Sequence, residues 1–146
     1  MAFLNAMNIS ASGLTAQRAR LDVIAENISN SNTTRTESGE PYRRRMVVFE
    51  PRNQGGFQEI FNKTATGEAA QGGVIVSEIV EDESPLKSVY DPTHPDADEN
   101  GYVMMPNVDL LKETIDSMEA SRAYDANVTA FNAIKAMATK GLEVGK

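Results

Sequence analysis

The chain contains no cysteine and no tryptophan, and its only histidine is His94. Without cysteine it has no disulfide scaffold, no thiol for catalysis and no thiolate ligand for a metal ion. A single histidine does not make a multi-histidine metal site. We therefore expect no resident metal centre and no bound cofactor.

Motifs that mark catalysis or nucleotide binding are also missing. No G-x-S-x-G nucleophile elbow is present to support a serine hydrolase. Gly72-Gly73 precedes a strand-like run, whereas a phosphate-binding loop follows a strand and opens a helix. We expect no enzymatic activity and no small-molecule substrate, and a hydrolase remains only the third alternative.

Positive charge is scarce as well, because the net charge is −7. The only basic cluster joins Arg43, Arg44 and Arg45 to Arg52, with no aromatic interleaving beyond Tyr42. This balance argues against binding of nucleic acid or of an anionic lipid surface. We interpret the cluster as one face of a strand or loop.

Long apolar runs are absent, so no segment is expected to cross a bilayer. The first five residues, Met1 to Asn5, lack the positive segment and the continuous apolar run of a Sec-type signal peptide. If the protein leaves the cytoplasm, we expect it to use another route.

What the chain does have is a long amphipathic pattern at each end. The first predicted helix covers Phe3 to Ser29, and its apolar stripe has steps of three and four residues, with one charged interruption. The second covers Val108 to Leu142, with Asn107 as the expected N-cap and Asp109 near the positive helix end. The first stripe consists of Leu4, Met7, Ala11, Leu14, Arg18, Leu21, Ala25 and Ile28.

The second helix has two apolar faces, at about 100° per residue. Leu111, Ile115 and Met118 share one face, and the opposite face carries Tyr124, Val128, Phe131, Ile134, Ala138 and Leu142. A helix with two faces needs at least two packing partners. One alternative is that half of it covers the chain's own middle region while the rest pairs with the N-terminal helix. The other alternative is an intermolecular partner.

Arg18 and Arg122 each interrupt an apolar stripe. Such a charge either extends to solvent or pairs with a carboxylate and fixes the helix register.

The five large apolar residues of the first stripe would contribute about 7 to 15 kcal/mol when buried, whereas ordering some 25 backbone residues costs at least about 1 kcal/mol each. We predict that both ends are disordered or frayed in the dilute monomer and become helical on assembly.

The sequence pattern predicts a small β region with little apolar content in the middle of the chain. Strands are predicted at Met46 to Phe49, Phe57 to Phe61 and Val74 to Val80, with Ser88 to Tyr90 and Tyr102 to Met104 as added edges. The predicted fold is mainly α with a small β-rich insertion, and the long terminal helices pair as a coiled-coil-like hairpin. We divide the chain into residues 1–34, 35–106 and 107–146: an N-terminal assembly helix with its Asn-rich end, a middle β and loop region, and a C-terminal assembly helix.

One motif suggests a different class of function. Asp96-Ala97-Asp98-Glu99-Asn100-Gly101 matches the first six positions of a calcium-binding loop. The twelfth position, which should be a bidentate Glu, is Asn107. A small calcium-binding regulatory module is the runner-up, and a rigid acidic turn is the alternative interpretation of the motif.

Three segments resemble the rod and hook proteins of the bacterial flagellum. Leu21 to Thr33, LDVIAENISNSNT, is similar to their Asn-rich N-terminal signature, and Glu119 to Val128, EASRAYDANV, is similar to their C-terminal one. The resemblance is narrowed to proteins of the proximal rod by two central segments, Val89 to Val103 and Pro106 to Asp109. Glu26 departs from the family, which more often has Asn there.

The resemblance implies a torque-transmitting rod subunit in the periplasmic basal body, exported unfolded by the type III export apparatus without a cleaved signal. It implies self-association, other rod proteins and the basal-body adaptor at the export gate as partners. We expect the terminal helices to form an inner tube, with the middle segment outside. The predicted assembly interface comprises Leu4, Met7, Leu14, Arg18, Leu21, Ile28, Leu111, Ile115, Met118, Arg122, Tyr124, Val128, Phe131, Ile134 and Leu142.

Overall fold

Two long helices at the ends of the chain flank four short strands in the computed structural model, which describes residues 2–52 and 72–144. This confirms the predicted mainly α fold with a small β-rich insertion. In order, the elements are α1 (Ala2–Ser29), β1 (Arg45–Pro51), β2 (Val74–Glu81), β3 (Lys87–Tyr90), β4 (Tyr102–Met105) and α2 (Leu110–Val144). None of these helices is both long and apolar enough for a membrane span.

The two helices pair with each other in antiparallel orientation. Asn27 donates to the Glu113 carboxylate at 3.0 Å. At the other end of the contact, a Cβ atom at Gly13 would lie 3.0 Å from the Asn127 side chain. Asn27 follows Gly13 by 14 positions, and Asn127 follows Glu113 by the same number. Both contacts therefore belong to one antiparallel register of the two helices, which extends over about four turns.

The buried face of α1 is not the stripe that spacing predicts. The fully buried residues of α1 are Ser10, Ala16, Val23, Ile24 and Asn27. Of the predicted stripe, Met7, Leu14 and Leu21 are half-buried, whereas Leu4, Arg18, Ala25 and Ile28 are exposed. The stripe was misplaced because α1 is contacted by α2 and also by β1 and β2, so its buried arc is wider and rotated toward the strands.

The C-terminal helix has one continuous face against α1. Glu113 and Ala120 are buried on it, and Tyr124, Val128, Phe131, Ile134 and Ala138 continue it as half-buried residues. Leu142 was predicted on this face and lies there in phase, but it is exposed, since α2 is 35 residues long and α1 only 28.

The start of α2 differs from the expected one. Asp109, not Asn107, is the N-cap, because its Oδ1 accepts from the backbone N–H of Leu111 at 3.0 Å. The Asn107 amide is used elsewhere: Oδ1 accepts from the Arg44 N–H at 2.8 Å, and Nδ2 donates to the Asp82 carbonyl at 3.0 Å.

The strands form two separate antiparallel ribbons. β1 pairs with β2, and the register shifts between Val48 and Phe49. β3 pairs with β4, so these two strands do not extend the first sheet as edges, contrary to the prediction. The strand predicted at Phe57 to Phe61 lies outside the described residues.

The β1–β2 ribbon lies against α1. The Ser12 hydroxyl accepts the backbone N–H of Val74 at 3.1 Å, and it would lie 2.8 Å from a Cβ atom at Gly73. Gly73 has φ of 139°, which other residues rarely adopt. This close approach requires glycine where the ribbon meets the helix.

Candidate assembly interface

A buried polar cluster joins α1, α2 and the start of β1, and we call Asn27, Arg44 and Glu113 with their partners the junction cluster. Asn27 is 0 % exposed. Its Nδ2 donates to the Arg45 carbonyl at 2.8 Å and to Glu113 at 3.0 Å. Its Oδ1 accepts from the Tyr42 hydroxyl and from the Arg45 N–H, both at 2.9 Å. Every hydrogen-bonding group of this amide is therefore satisfied.

The charged half of the junction cluster is built around Glu113, which is also 0 % exposed. The Arg44 Nε donates to Glu113 Oε1 at 2.5 Å. The Arg44 guanidinium reaches Asp116 at 3.2 Å and Asp82 at 3.7 Å as well. Arg20 approaches Asp116 at 3.5 Å. One arginine thus links the C-terminal helix to the segment after β2, and a second links it to α1.

The aromatic member of the junction cluster titrates abnormally. Burial raises the pKa of Tyr42 to about 12, and the nearby Glu26 carboxylate acts in the same direction. Nearby, hydrogen bonds from Ser84 hold the pKa of Asp82 below its ordinary value. The Tyr42 phenol is therefore neutral at neutral pH and remains a hydrogen-bond donor to Asn27.

A second feature is the outer face of α2, opposite its contact with α1. Leu111, Ile115 and Met118 are 72 %, 50 % and 53 % exposed. Leu110 precedes them and is exposed too. Large apolar side chains at helical spacing are normally covered in a folded chain, so this face has the character of an interface.

Family models match both helical ends of the chain. The model for the flagella basal body rod protein matches residues 7–35, and the model for the C-terminal part of the flagellar basal body rod FlgEFG proteins matches residues 99–144. The flagellar basal-body rod protein FlgC of Bacillus subtilis is 49 % identical and is covered in full, as is this chain.

The chain belongs to the FlgC family of flagellar basal-body rod proteins. FlgC of Borreliella burgdorferi is 44 % identical over 99 % of this chain and 98 % of its own length. FlgC of Salmonella typhimurium is 42 % identical over the whole of both chains. The predicted resemblance is confirmed, and the chain is a structural subunit of the flagellar rod in the basal body.

The predicted interface residues of this FlgC-family chain fall into two groups. The first group is exposed: Leu4, Arg18, Ile28, Leu111, Ile115, Met118, Arg122 and Leu142. The second group is half-buried within the chain: Met7, Leu14, Leu21, Tyr124, Val128, Phe131 and Ile134.

The arginines that the sequence singled out are not those that pair across the helices. Within residues 2–52 and 72–144, Arg18 and Arg122 form no ion pair. Arg20 of α1 pairs with Asp116 of α2 instead, and Arg44, which precedes β1, pairs with Glu113 of α2.

Sequence reasoning missed Asn27, Arg44 and Glu113 as members of one site. One available signal was that Glu113 lies in phase with Ala120 on the inner face of α2, where a lone carboxylate needs a partner. Asn27 lies in the last turn of α1, which ends at Ser29, and no sequence pattern marks it as a buried residue. Both Asn27 and Glu113 lie within the segments that the family models match.

The acidic loop does not support the calcium alternative. The Asp98 Oδ1 accepts backbone N–H groups of Asn100 and Tyr102, both at 2.8 Å. Asp96 accepts from the Thr34 hydroxyl at 2.8 Å. Across the described part of the chain, no group of three or more His, Cys, Asp or Glu side chains is placed to hold a metal ion. The loop is a turn that ties β3 and β4 to the segment after α1.

Proposed function

We propose that the chain polymerises through its terminal helices as a subunit of the proximal rod, forming part of the drive shaft and the wall of its export channel. The observation that carries the proposal is the apolar outer face of α2, Leu111, Ile115 and Met118, which remains exposed after α2 has paired with α1. In this scheme residues 1–34 and 107–146 form the inner tube, and residues 35–106 form an outer lobe.

The size of this face indicates how assembly proceeds. Half or more of each of the three side chains is still exposed, so their full burial contributes about 1 to 2 kcal/mol each, or roughly 3 to 5 kcal/mol together. Association costs about 4 to 15 kcal/mol in lost freedom. One such contact does not sustain a dimer in dilute solution. A subunit becomes stably bound only where several neighbours cover several faces at once, as in a closed tube.

We infer the partners from this geometry and from the family. They are other copies of the chain, other rod proteins and the basal-body adaptor at the export gate, with the type III export apparatus as the delivery route. The subunit acts in the periplasm, arrives without a cleaved signal peptide, and has no catalytic role and no cofactor. Torque passes through many close-packed contacts in parallel.

The prediction of disorder in the monomer applies most strongly to the ends away from the junction cluster. Leu4 on α1 and Met137 and Leu142 on α2 are exposed there, whereas buried residues concentrate near Asn27 and Glu113. We expect limited proteolysis of the dilute monomer to trim these distal turns and spare the residues around the junction cluster. Resistant distal turns in the dilute monomer would contradict the prediction.

Substitution of the outer face tests the function directly. Ile115→Asp places a charge on the exposed stripe of α2 without disturbing the inner contact, so the monomer should keep its helicity while rods fail to form. Leu14→Asp should also abolish rod assembly and motility and leave export largely intact, although Leu14 is half-buried. Ser121→Asp, at an exposed site off the inner face, is the matched control and should assemble normally.

The readout is electron microscopy of basal bodies from a deletion strain that expresses each variant. Membrane rings without rods are expected for Ile115→Asp, and complete basal bodies for Ser121→Asp. A motile strain carrying Ile115→Asp would refute the assignment of this face to assembly. Tight calcium binding in calorimetry would instead revive the calcium-binding alternative.

A further inference from the structure

The contact between α1 and α2 has few apolar side chains that select one alignment. On the two helices, the fully buried apolar residues among those described are Ala16, Val23, Ile24 and Ala120. Two of the four are alanines, which lose little buried surface when one helix slides along the other. The larger residues of the inner face of α2, such as Tyr124 and Phe131, are only half-buried, and a slip of one heptad brings Phe131 to the level of Tyr124. Apolar packing alone therefore discriminates weakly between axial registers.

One buried polar contact and one close steric fit, four turns apart, do discriminate. At one end Glu113 accepts from both Asn27 and Arg44, and all three groups are buried. At the other end Asn127 fits against Gly13, where a Cβ atom would lie only 3.0 Å away. Because both separations are 14 positions, both contacts form in the same register.

A slip of one heptad breaks both contacts together. In either direction Asn27 loses Glu113, and Asn127 meets Ala6 or Arg20 in place of Gly13. A buried amide or carboxylate without partners costs more than a lost apolar contact. The slip also moves the outer face of α2 by about 10 Å along α1.

We propose that Asn27, Arg44 and Glu113 determine the register of the two terminal helices and tie that register to the β-rich middle region through Arg44. Their role is to select one alignment among several of similar packing, because the hydrogen bonds of Asn27 and the ion pair of Glu113 form in that alignment only. The outer apolar residues of α1 and α2 then stand at one fixed axial offset.

Spin labels at engineered cysteines measure that offset, and the absence of native cysteine makes them the only labelling sites. Ala25→Cys and Ser121→Cys are suitable because both positions are exposed. Ala25 is level with position 115, so the label sites are about 9 Å apart along the axis. A heptad slip changes this axial separation to about 20 Å or about 2 Å.

The decisive variant is Asn27→Leu/Arg44→Met/Glu113→Leu, which replaces the polar groups by apolar ones of similar size. The full-length chain should keep its circular dichroism and show a second distance in at least about a tenth of the molecules. The matched control is Glu26→Leu/Arg45→Met, which removes the exposed ion pair between α1 and β1 and should keep one distance.

Other results would overturn the proposal. A single unchanged distance in the folded triple variant means that apolar packing alone sets the register. If the triple variant does not fold, Asn27→Ala is measured in its place. A folded Asn27→Ala variant with a single distance would also refute the proposal. Loss of fold in both variants would also refute the proposal, because the cluster would then be needed for folding rather than for the choice of register.

Discussion

Arg44 is the most informative single residue to remove, because it is the cationic partner of a carboxylate with no access to solvent. Its guanidinium contacts Glu113 at 2.5 Å, Asp116 at 3.2 Å and Asp82 at 3.7 Å. Arg44→Met keeps most of the aliphatic stem and deletes the charge. The change therefore isolates the ion pair from the packing of the side chain.

The cost follows from what the change leaves behind. Breaking a buried ion pair by removing one partner costs about 3 to 5 kcal/mol, because the other charge stays buried and uncompensated. Asp116 keeps Arg20, and Glu113 keeps one hydrogen bond from Asn27, so the lower half of that range applies. We expect Arg44→Met to lose about 3 to 4 kcal/mol, and roughly 10 °C in Tm for a chain of this size.

The neighbouring arginine, Arg45, is the first residue of β1 and serves as a control. Arg45 pairs with Glu26 at 3.0 Å, but the two side chains are 41 % and 43 % exposed. Its guanidinium also lies 5.8 Å from the Tyr42 ring centre. An exposed pair contributes about 0 to 1 kcal/mol, so Arg45→Met should cost about 1 kcal/mol or less.

Equilibrium urea unfolding followed by circular dichroism measures both variants under identical conditions. A second substitution sharpens the result: Glu113→Leu in the Arg44→Met background should recover most of the loss, since it removes the orphaned charge. If Arg44→Met costs no more than Arg45→Met, the reasoning about the buried pair is wrong.

Two further predictions concern the same contacts. Because the folded pKa of Tyr42, about 12, lies above the ordinary value of 10.0, the stability that Tyr42 contributes should be constant below about pH 10 and be lost as the pH rises toward 12. Ultraviolet titration of tyrosinate and urea unfolding check this, and Tyr42→Phe should remove that part of the pH dependence. Gly13→Ala should raise the free energy of unfolding by less than the usual helix increment of about 1 kcal/mol, because the new Cβ crowds Asn127 at 3.0 Å. The full increment should appear in an Asn127→Ala background. A full gain in the single variant would contradict the close contact.

The helical ends of this protein were predictable because periodicity is a local property. Steps of three and four residues marked both helices to within about two residues. Among the helices and strands that the structure describes, α2 contacts only α1, so a second packing partner for its other apolar face stays a prediction. The best predicted strand, Val74 to Val80, became β2 with one added residue. The motifs at Leu21 to Thr33 and Glu119 to Val128 were sufficient to indicate the family.

The inner face of α1 was not predictable in the same way. Spacing located an apolar stripe, but α1 contacts α2 on one side and the β1–β2 ribbon on another. Which residues are buried then depends on the angle between these two neighbours. Ser10 and Ala16 are buried for that reason, whereas Leu4 is not.

Composition and periodicity alone determined that this chain has two long helices and a small β-rich middle. Only the tertiary structure placed Asn27, Arg44 and Glu113, from three separate parts of the sequence, in one buried cluster. The physical reason is that helix propensity and amphipathicity act over a few residues, whereas satisfaction of a buried charge depends on partners 69 and 86 positions away along the chain.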